Sequence, residues 1–252
     1  MSFDVTPDAY TRFMGVYSEP LAVRFVELLD LRPDQRALDV GCGPGVLTAQ
    51  LADRVGAAGV VAVDPSLPFV EAARRRIPGV EVHEGSAEHL PFPDDDFDLA
   101  VAQLVVHFMN DPVAGLAEMA RVTRPGGLVA ANVWDHAGTS GPLTAFWRAV
   151  RDLDPRAVDE SARPGTREGH LAELFTLAGL SDVQAGSITV TVGFDSFDEW
   201  WAPYEMGVGP AGSYVARLDE GGREALKRTC RGYLPHPPFE IDATAWTGTA
   251  RV

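Results

Sequence analysis

Leu38-Asp39-Val40-Gly41-Cys42-Gly43-Pro44-Gly45 is the stretch from which the fold can be read. Arg36 to Val40 has the apolar character of a short buried strand, and it ends in a turn with glycine at alternate positions. Without Cβ atoms such a turn reaches φ > 0 and lets a ligand approach the backbone closely. The residues that follow read as a helix to about Arg54. In an open α/β sheet this first strand-to-helix turn lies at the carboxyl end of its strand, where the sheet's topology switches and ligands bind.

The chain on either side continues the alternation. Upstream, Ser18 and Pro20 suit the first turn of a helix, with Leu21, Phe25, Leu28 and Leu29 at helical spacing. Downstream, Val60 to Val63 is a second buried strand closing on Asp64, and a helix after Ser66 stops at Pro78-Gly79. Val80 to Glu84 is a third strand, and Phe97 to Gln103 a fourth. Asp111-Pro112 opens a helix that ends before Pro125-Gly126-Gly127, and Leu128 to Trp134 is a fifth strand. Near-continuous apolar strands alternating with helices predict a mostly parallel sheet covered on both faces.

The last third reads differently. A helix over His170 to Ala178, stopped by Gly179, precedes a strand over Val183 to Val192. Ser196-Phe197-Asp198-Glu199 has capping-box spacing and starts a helix carrying Trp200, Trp201 and Tyr204. Those rings either line a substrate pocket or form the buried face of the helix. A further helix is expected over Glu220 to Arg231, and Phe239 to Val252 alternates as an edge or antiparallel strand does.

The 252 residues suit a single α/β domain with added elements, and 46% apolar residues suffice for a proper core. A net charge of -15 repels phosphate backbones and anionic membrane surfaces, so nucleic acid and membrane are not expected partners. Arg74-Arg75-Arg76 is the dense basic run and reads as a solvated helix end. Asp94-Asp95-Asp96 reads as a solvated turn, and no metal site is expected. The start at Met1-Ser2-Phe3-Asp4 lacks a basic, then apolar, leader. Cys42 and Cys230 are too few for a disulfide framework, and the expected location is the cytoplasm.

A dinucleotide fingerprint reads Gly-x-Gly-x-x-Gly/Ala. Counted from Gly41, the third position is Val46; counted from Gly43, it is Thr48. Neither register fits. Asp39, just before the turn, disfavours a pyrophosphate and suits an ammonium group. The expected ligand is therefore a nucleoside with a positive end and no phosphates. Asp64, 25 residues beyond Asp39, stands near the ~20-residue offset of a ribose-binding acid. Its carboxylate can accept from both ribose hydroxyls, in a nicotinamide cofactor as in S-adenosylmethionine.

Residues 38–45 resemble motif I of the class I S-adenosylmethionine-dependent methyltransferases, with Asp64 at the place of their ribose ligand. Gly85-Ser86-Ala87-Glu88-His89-Leu90-Pro91-Phe92 is similar to the adenine-embracing block of the family called methyltransferase type 11. Phe97-Asp98-Leu99 through His107 resembles the fourth motif, and Arg124-Pro125-Gly126-Gly127 the turn before strand five. The resemblance is ordered over residues 10–134.

It implies an α/β, Rossmann-like, doubly wound sheet of seven mostly parallel strands with the last antiparallel. The core sheet would span 32–192 and 239–252, with an N-terminal lid over 1–31 and a helical cap inserted over 193–238. The implied cofactor is S-adenosylmethionine. Gly41, Cys42 and Gly43 would offer backbone contacts to its methionine part, and Asp39 would orient the ammonium. Asp64, with Pro65 beside it, would hold the ribose. Ser86, Ala87 and Glu88 would frame the adenine edge, Ser86 standing where the family often has Asp. Gln103 would face the methionyl end, and Tyr10, with Met14 nearby, belongs to the lid.

His107 follows strand four and His136 follows strand five, so both fall near the carboxyl edge of the sheet. Each is a candidate general base, or else a packing histidine. Cys42 reads as a small packing residue. The expected reaction is methyl transfer to a nucleophilic O, N or C of a small-molecule acceptor. The rivals are an NAD(P)-dependent oxidoreductase, disfavoured by the broken glycine spacing, and a non-catalytic adenosyl-binding module. The sequence leaves the oligomeric state open.

Overall fold

Five parallel strands lead the sheet: β1 (Ala37–Val40), β2 (Val60–Asp64), β3 (Glu81–Glu84), β4 (Phe97–Gln103) and β5 (Thr123–Trp134). Two long strands close it, β6 (Ser181–Phe194) and β7 (Phe239–Arg251), in the order β3-β2-β1-β4-β5-β7-β6. This computed structural model describes residues 6–252, so residues 1–5 of the expected lid lie outside the described residues. β1 and β2 are buried along their whole lengths, as parallel strands covered on both faces must be. β7 runs antiparallel between β5 and β6. It is thus interior, and β6 is the edge strand; of the two readings offered by its alternation, antiparallel holds and edge does not.

The helices follow in chain order: α1 (Pro7–Tyr10), α2 (Val16–Leu28), α3 (Val46–Val55), α4 (Leu67–Arg76), α5 (Pro112–Val122), α6 (Thr144–Leu153) and α7 (His170–Leu177). Between β6 and β7 lie α8 (Phe197–Trp201), a 3-10 stretch over Ala202–Met206, α9 (Gly209–Arg217) and α10 (Glu220–Tyr233). α5 starts where expected because the Asp111 carboxylate accepts the Ala114 N–H at 3.0 Å. α8 starts at Ser196, whose hydroxyl accepts the Glu199 N–H at 3.1 Å, while the Glu199 carboxylate reaches back to the Asp195 N–H at 2.7 Å.

Two boundaries differ most from the sequence reading, and α6 and α9 were not expected. Ser18 is not a cap: helix already runs from Pro7, capped by Thr6, through a π-helical turn at Thr11–Gly15 into α2. Phe13, Tyr17, Leu21 and Phe25, all buried, continue one stripe at four-residue spacing straight across Ser18 and Pro20. β5 starts at Thr123, five residues before Leu128, because the Arg124–Gly127 turn is a bulge within the strand. Gly126 takes φ +77° there, and its N–H donates to the Val252 carbonyl at 2.7 Å, tying the turn to the end of β7.

The charged runs are largely exposed, as expected, and also make local bonds. Arg74 donates to the Val82 carbonyl at 2.6 Å, and Arg76 pairs with Glu19 at 3.0 Å. Asp94 pairs with Arg121 at 2.7 Å and Asp96 with Arg36 at 3.1 Å.

Trp200, Trp201 and Tyr204 are buried in an aromatic cluster that joins the segment between β6 and β7 to α6 and the N-terminal helices. The Tyr204 ring stacks on Phe146 of α6 at 4.6 Å and meets Phe13 edge-on at 5.3 Å. Of the two readings of these rings, the packing one fits. Phe146 is fully buried at the centre of the cluster. Phe146→Ala should therefore cost about 3–5 kcal/mol of stability, measurable as a lower urea midpoint.

Candidate functional site

Gly41 leaves β1 at φ +72°, and a Cβ there would sit 2.5 Å from Val105, so only glycine closes this turn. Gly43 and Gly45 also take positive φ, at +53° and +86°. The turn's N–H groups are consumed within it. Gly41 and Cys42 both donate to the Val63 carbonyl, at 2.7 and 3.0 Å. Gly43 donates to Asp64 Oδ2 at 2.8 Å, and Ser66 donates to Asp64 Oδ1 at 2.8 Å. A phosphate-cradling loop aims such groups at its ligand; this one aims them at β2.

Beside the turn is a cavity of about 500 Å3, at the carboxyl ends of β1, β2 and β4. Nine of the eleven expected cofactor residues line it: Tyr10, Gly41, Gly43, Asp64, Pro65, Ser86, Ala87, Glu88 and Gln103. Asp39 and Cys42 do not. They line an adjoining crevice with Ser18 and Leu47, which shares Tyr10, Gly41, Gly43 and Gln103 with the large cavity. The sequence reading missed Leu67, Pro68 and Phe69 on the first turn of α4. Phe69 meets the Tyr10 ring edge-on at 5.5 Å. The signal available was three apolar residues beginning three positions after the ribose-type acid.

Asp64 and Gln103 border this cavity, and Asp39 borders the adjoining crevice. Asp39 is 1% exposed, accepts the Thr48 hydroxyl at 2.6 Å, and is pushed up to about 7 by burial. Asp64 is raised too, by burial, with the Ser66 and Gly43 amides pulling the other way. Gln103 donates its Nε2 to the Ser18 carbonyl at 3.1 Å, and its buried Oε1 has no partner. Burial, with Asp64 adding to it, pushes the Tyr10 phenol up to about 12. Glu88 is spent on the loop before α5, where its Oε1 accepts the Asn110 N–H at 2.8 Å.

His107 and His136 come together in another crevice that meets the large cavity at Tyr10, Leu104 and Phe108. Their ring centroids are 5.6 Å apart. Burial, then His136 and Arg163, hold the His107 imidazole well below its usual value. Burial, then Arg163, pushes His136 down to about 4. Both rings are therefore neutral at pH 7. Glu160 lines the same crevice and was not expected, since the loop around it has no periodicity or motif. Among the described residues no group of three or more His, Cys, Asp or Glu could hold a metal ion, and no helix is long and apolar enough to cross a membrane.

Comparison with known proteins adds to this geometry. A family described as a methyltransferase domain matches residues 38–131. A 37.1 kDa transposon protein from Streptomyces fradiae is 37% identical over 162 residues, 62% of this chain and 46% of its own. The chain thus spans about half the length of that relative. A demethylmenaquinone methyltransferase from Renibacterium salmoninarum is 33% identical over 172 residues, 63% of this chain and 71% of its own. The crystal structure of the YcgJ protein from Bacillus subtilis has the same fold, with a TM-score of 0.59 at 20% identity over 92% of this chain and 99% of that one.

The buried acid at Asp39 has a thermodynamic consequence. Its proton is held more tightly in the folded chain than in the unfolded one, so its contribution to stability is complete below pH 4 and is lost as pH rises through about 7. Asp39→Asn keeps an acceptor for Thr48 and removes the charge. The variant should melt higher than the parent at pH 8, by at least about 1 kcal/mol of stability, with a smaller gap at pH 5. Thermal melts of the unliganded proteins at both pH values test this; a gap that does not grow with pH refutes it.

Proposed function

The chain belongs to the class I S-adenosylmethionine-dependent methyltransferases, and on that premise we propose that it methylates a nucleophilic O, N or C atom of a small-molecule acceptor. The cofactor supplies, when bound, an electrophilic methyl group on a positively charged sulfur. The observation that carries the reading is the direction of the hydrogen bonds around the glycine turn. Its N–H groups point into the fold, while Asp64 and Gln103 line the cavity and Asp39 lines the adjoining crevice. Such a site favours a cation with hydroxyls and an ammonium over a diphosphate. The same direction weighs against the oxidoreductase reading.

Residue roles follow from placement. Each Asp64 oxygen accepts one backbone N–H and retains a lone pair for a ribose hydroxyl. Gln103 Oε1 and Asp39 flank the amino-acid end, beside the backbone of Gly41, Cys42 and Gly43. Pro65 borders the ribose. Ser86 and Ala87 frame the adenine edge, with Glu88 holding the loop at Asn110 against them. Tyr10 on α1, packed on Phe69, covers the cavity as part of the lid we assign to 1–31. Val208 to Ala211, from the cap we assign to 193–238, and Phe13 and Met14, from the lid, wall the acceptor crevice.

His107 and His136 stand in that crevice as neutral imidazoles able to exchange a hydrogen bond with the acceptor. The relative from Renibacterium salmoninarum is named for a small molecule, which supports a small acceptor here. The charge of -15 supports an acceptor other than nucleic acid. Cys42 and Cys230, both unpaired and buried, fit a reducing compartment and support a cytoplasmic location.

Thermal shift tests the cofactor class: S-adenosylhomocysteine should raise the melting temperature and NAD(H) should not, and the reverse pattern would overturn the reading. Asp64→Ala should weaken S-adenosylhomocysteine binding by about 1.5–3 kcal/mol; an unchanged dissociation constant by calorimetry removes Asp64 from the ribose. For His107→Ala, turnover with an accepted substrate should fall while S-adenosylhomocysteine affinity stays near normal; unaltered turnover strikes it from the catalytic set.

A further inference from the structure

The crevice behind Tyr10, Leu104 and Phe108 has aromatic and aliphatic walls, including Phe13, Met14, Trp134 and Leu143. Four titratable side chains interrupt them: Tyr10, His107, His136 and Glu160. Glu160 is 3% exposed, and its Oε2 accepts the Trp147 Nε1–H at 3.3 Å, which fixes the carboxylate on α6. His107 Nδ1 is buried with no hydrogen-bond partner. Buried polar atoms left incomplete in an apolar wall are costly unless something else satisfies them. A ligand presenting one polar hydrogen on an apolar body would do so.

Resting on the methyltransferase reading above, we propose that this crevice takes an acceptor with a weakly acidic hydroxyl on a flat apolar ring, a phenol or enol, and that Glu160 receives the hydroxyl proton. The O–H bond breaks toward the carboxylate, which becomes a carboxylic acid. The electron pair stays on the acceptor oxygen and spreads into the ring, leaving oxygen or a conjugated carbon as the nucleophile. Glu160 is the matched base at neutral pH because burial pushes it up to about 7. The two imidazoles titrate below that window and orient the hydroxyl without taking its proton.

Arg163 favours a hydroxyl over an amine. Its guanidinium lies 5.0 Å above the Phe108 ring and donates to the His107 carbonyl at 3.3 Å, so a fixed cation borders the crevice. That charge opposes an incoming ammonium and stabilises a developing oxyanion. The other groups facing Glu160 are Asp159 on its own loop, His107, His136, Tyr10 and Tyr204. The crevice measures about 30 Å3, so a ring enters only as the Val208–Ala211 wall gives way, and single-ring probes are the suitable ones.

The test uses the full chain saturated with S-adenosylhomocysteine, which permits no turnover, and titrates phenol, anisole and benzylamine by ligand-observed NMR. Phenol should bind about tenfold or more tightly than anisole at pH 8, the range for a hydrogen bond to a charged acceptor. The preference should shrink at pH 6, where Glu160 is protonated. In Glu160→Gln it should fall to near unity at both pH values, with S-adenosylhomocysteine affinity unchanged as proof of folding. A phenol preference that survives Glu160→Gln, or tighter binding of benzylamine than of phenol, overturns the proposal and leaves the methyltransferase reading standing. Failure of the parent protein to bind S-adenosylhomocysteine overturns both.

Discussion

The Val63 carbonyl, one residue before the end of β2, accepts the N–H groups of Gly41 and Cys42 together. That pair of bonds fixes the path of the chain as it leaves β1. It requires φ +72° at Gly41 and brings that residue so close to Val105 that no side chain fits. It also sets the next residue, Asp64, where its carboxylate takes the Gly43 N–H. Strand pairing, turn geometry and ribose-side acid are thus one construction. The hydrogen bonds that stabilise the turn also remove its amides from the ligand space, so they are not offered to an anion.

Placing two carboxylates there without a bound cation carries a cost in the folded chain. Asp39 and Asp64 are both raised by burial, and each also adds to the burden on its neighbours: Asp64 on Asp39 and Tyr10, and both on the Cys42 thiol. A ligand with a sulfonium and an ammonium relieves that repulsion in proportion to how well water is excluded. Affinity for a cation and reduced intrinsic stability are therefore two consequences of the same burial.

The legible parts of the molecule were those whose cause is local. β4 was expected at its observed ends, Phe97 and Gln103, because a buried strand bounded by an acidic turn needs no distant information. The glycine turn and Asp64 were readable for the same reason. Ser18 failed because its cap-like chemistry is overridden by the apolar stripe from Phe13 to Phe25, which ties α2 to the aromatic cluster. β5 began early because its bulge is held by β7, about 125 residues away in sequence. Glu160 left no trace at all: its position follows from Trp147 on α6 and from packing across the chain, and neither has a periodicity.

Leu104 shows how the fixed and variable halves meet. It follows β4 directly, lines all three cavities, and is a non-glycine residue at φ +61°. That conformation costs roughly 1–2 kcal/mol for a side chain with a Cβ. Its N–H donates to the Asn132 carbonyl at 2.9 Å and to Asn132 Oδ1 at 3.2 Å, on the neighbouring strand β5, which holds the strained backbone in place. Strain maintained by a buried partner is characteristic of positions where a site must be shaped. Here the left-handed turn ends β4 abruptly and points the chain toward His107, and Leu104 stands with Tyr10 and Phe108 where the large cavity meets the crevice of Glu160. The sheet fixes one side of that junction, and residues of the N-terminal helices and of the segment between β6 and β7 wall the other.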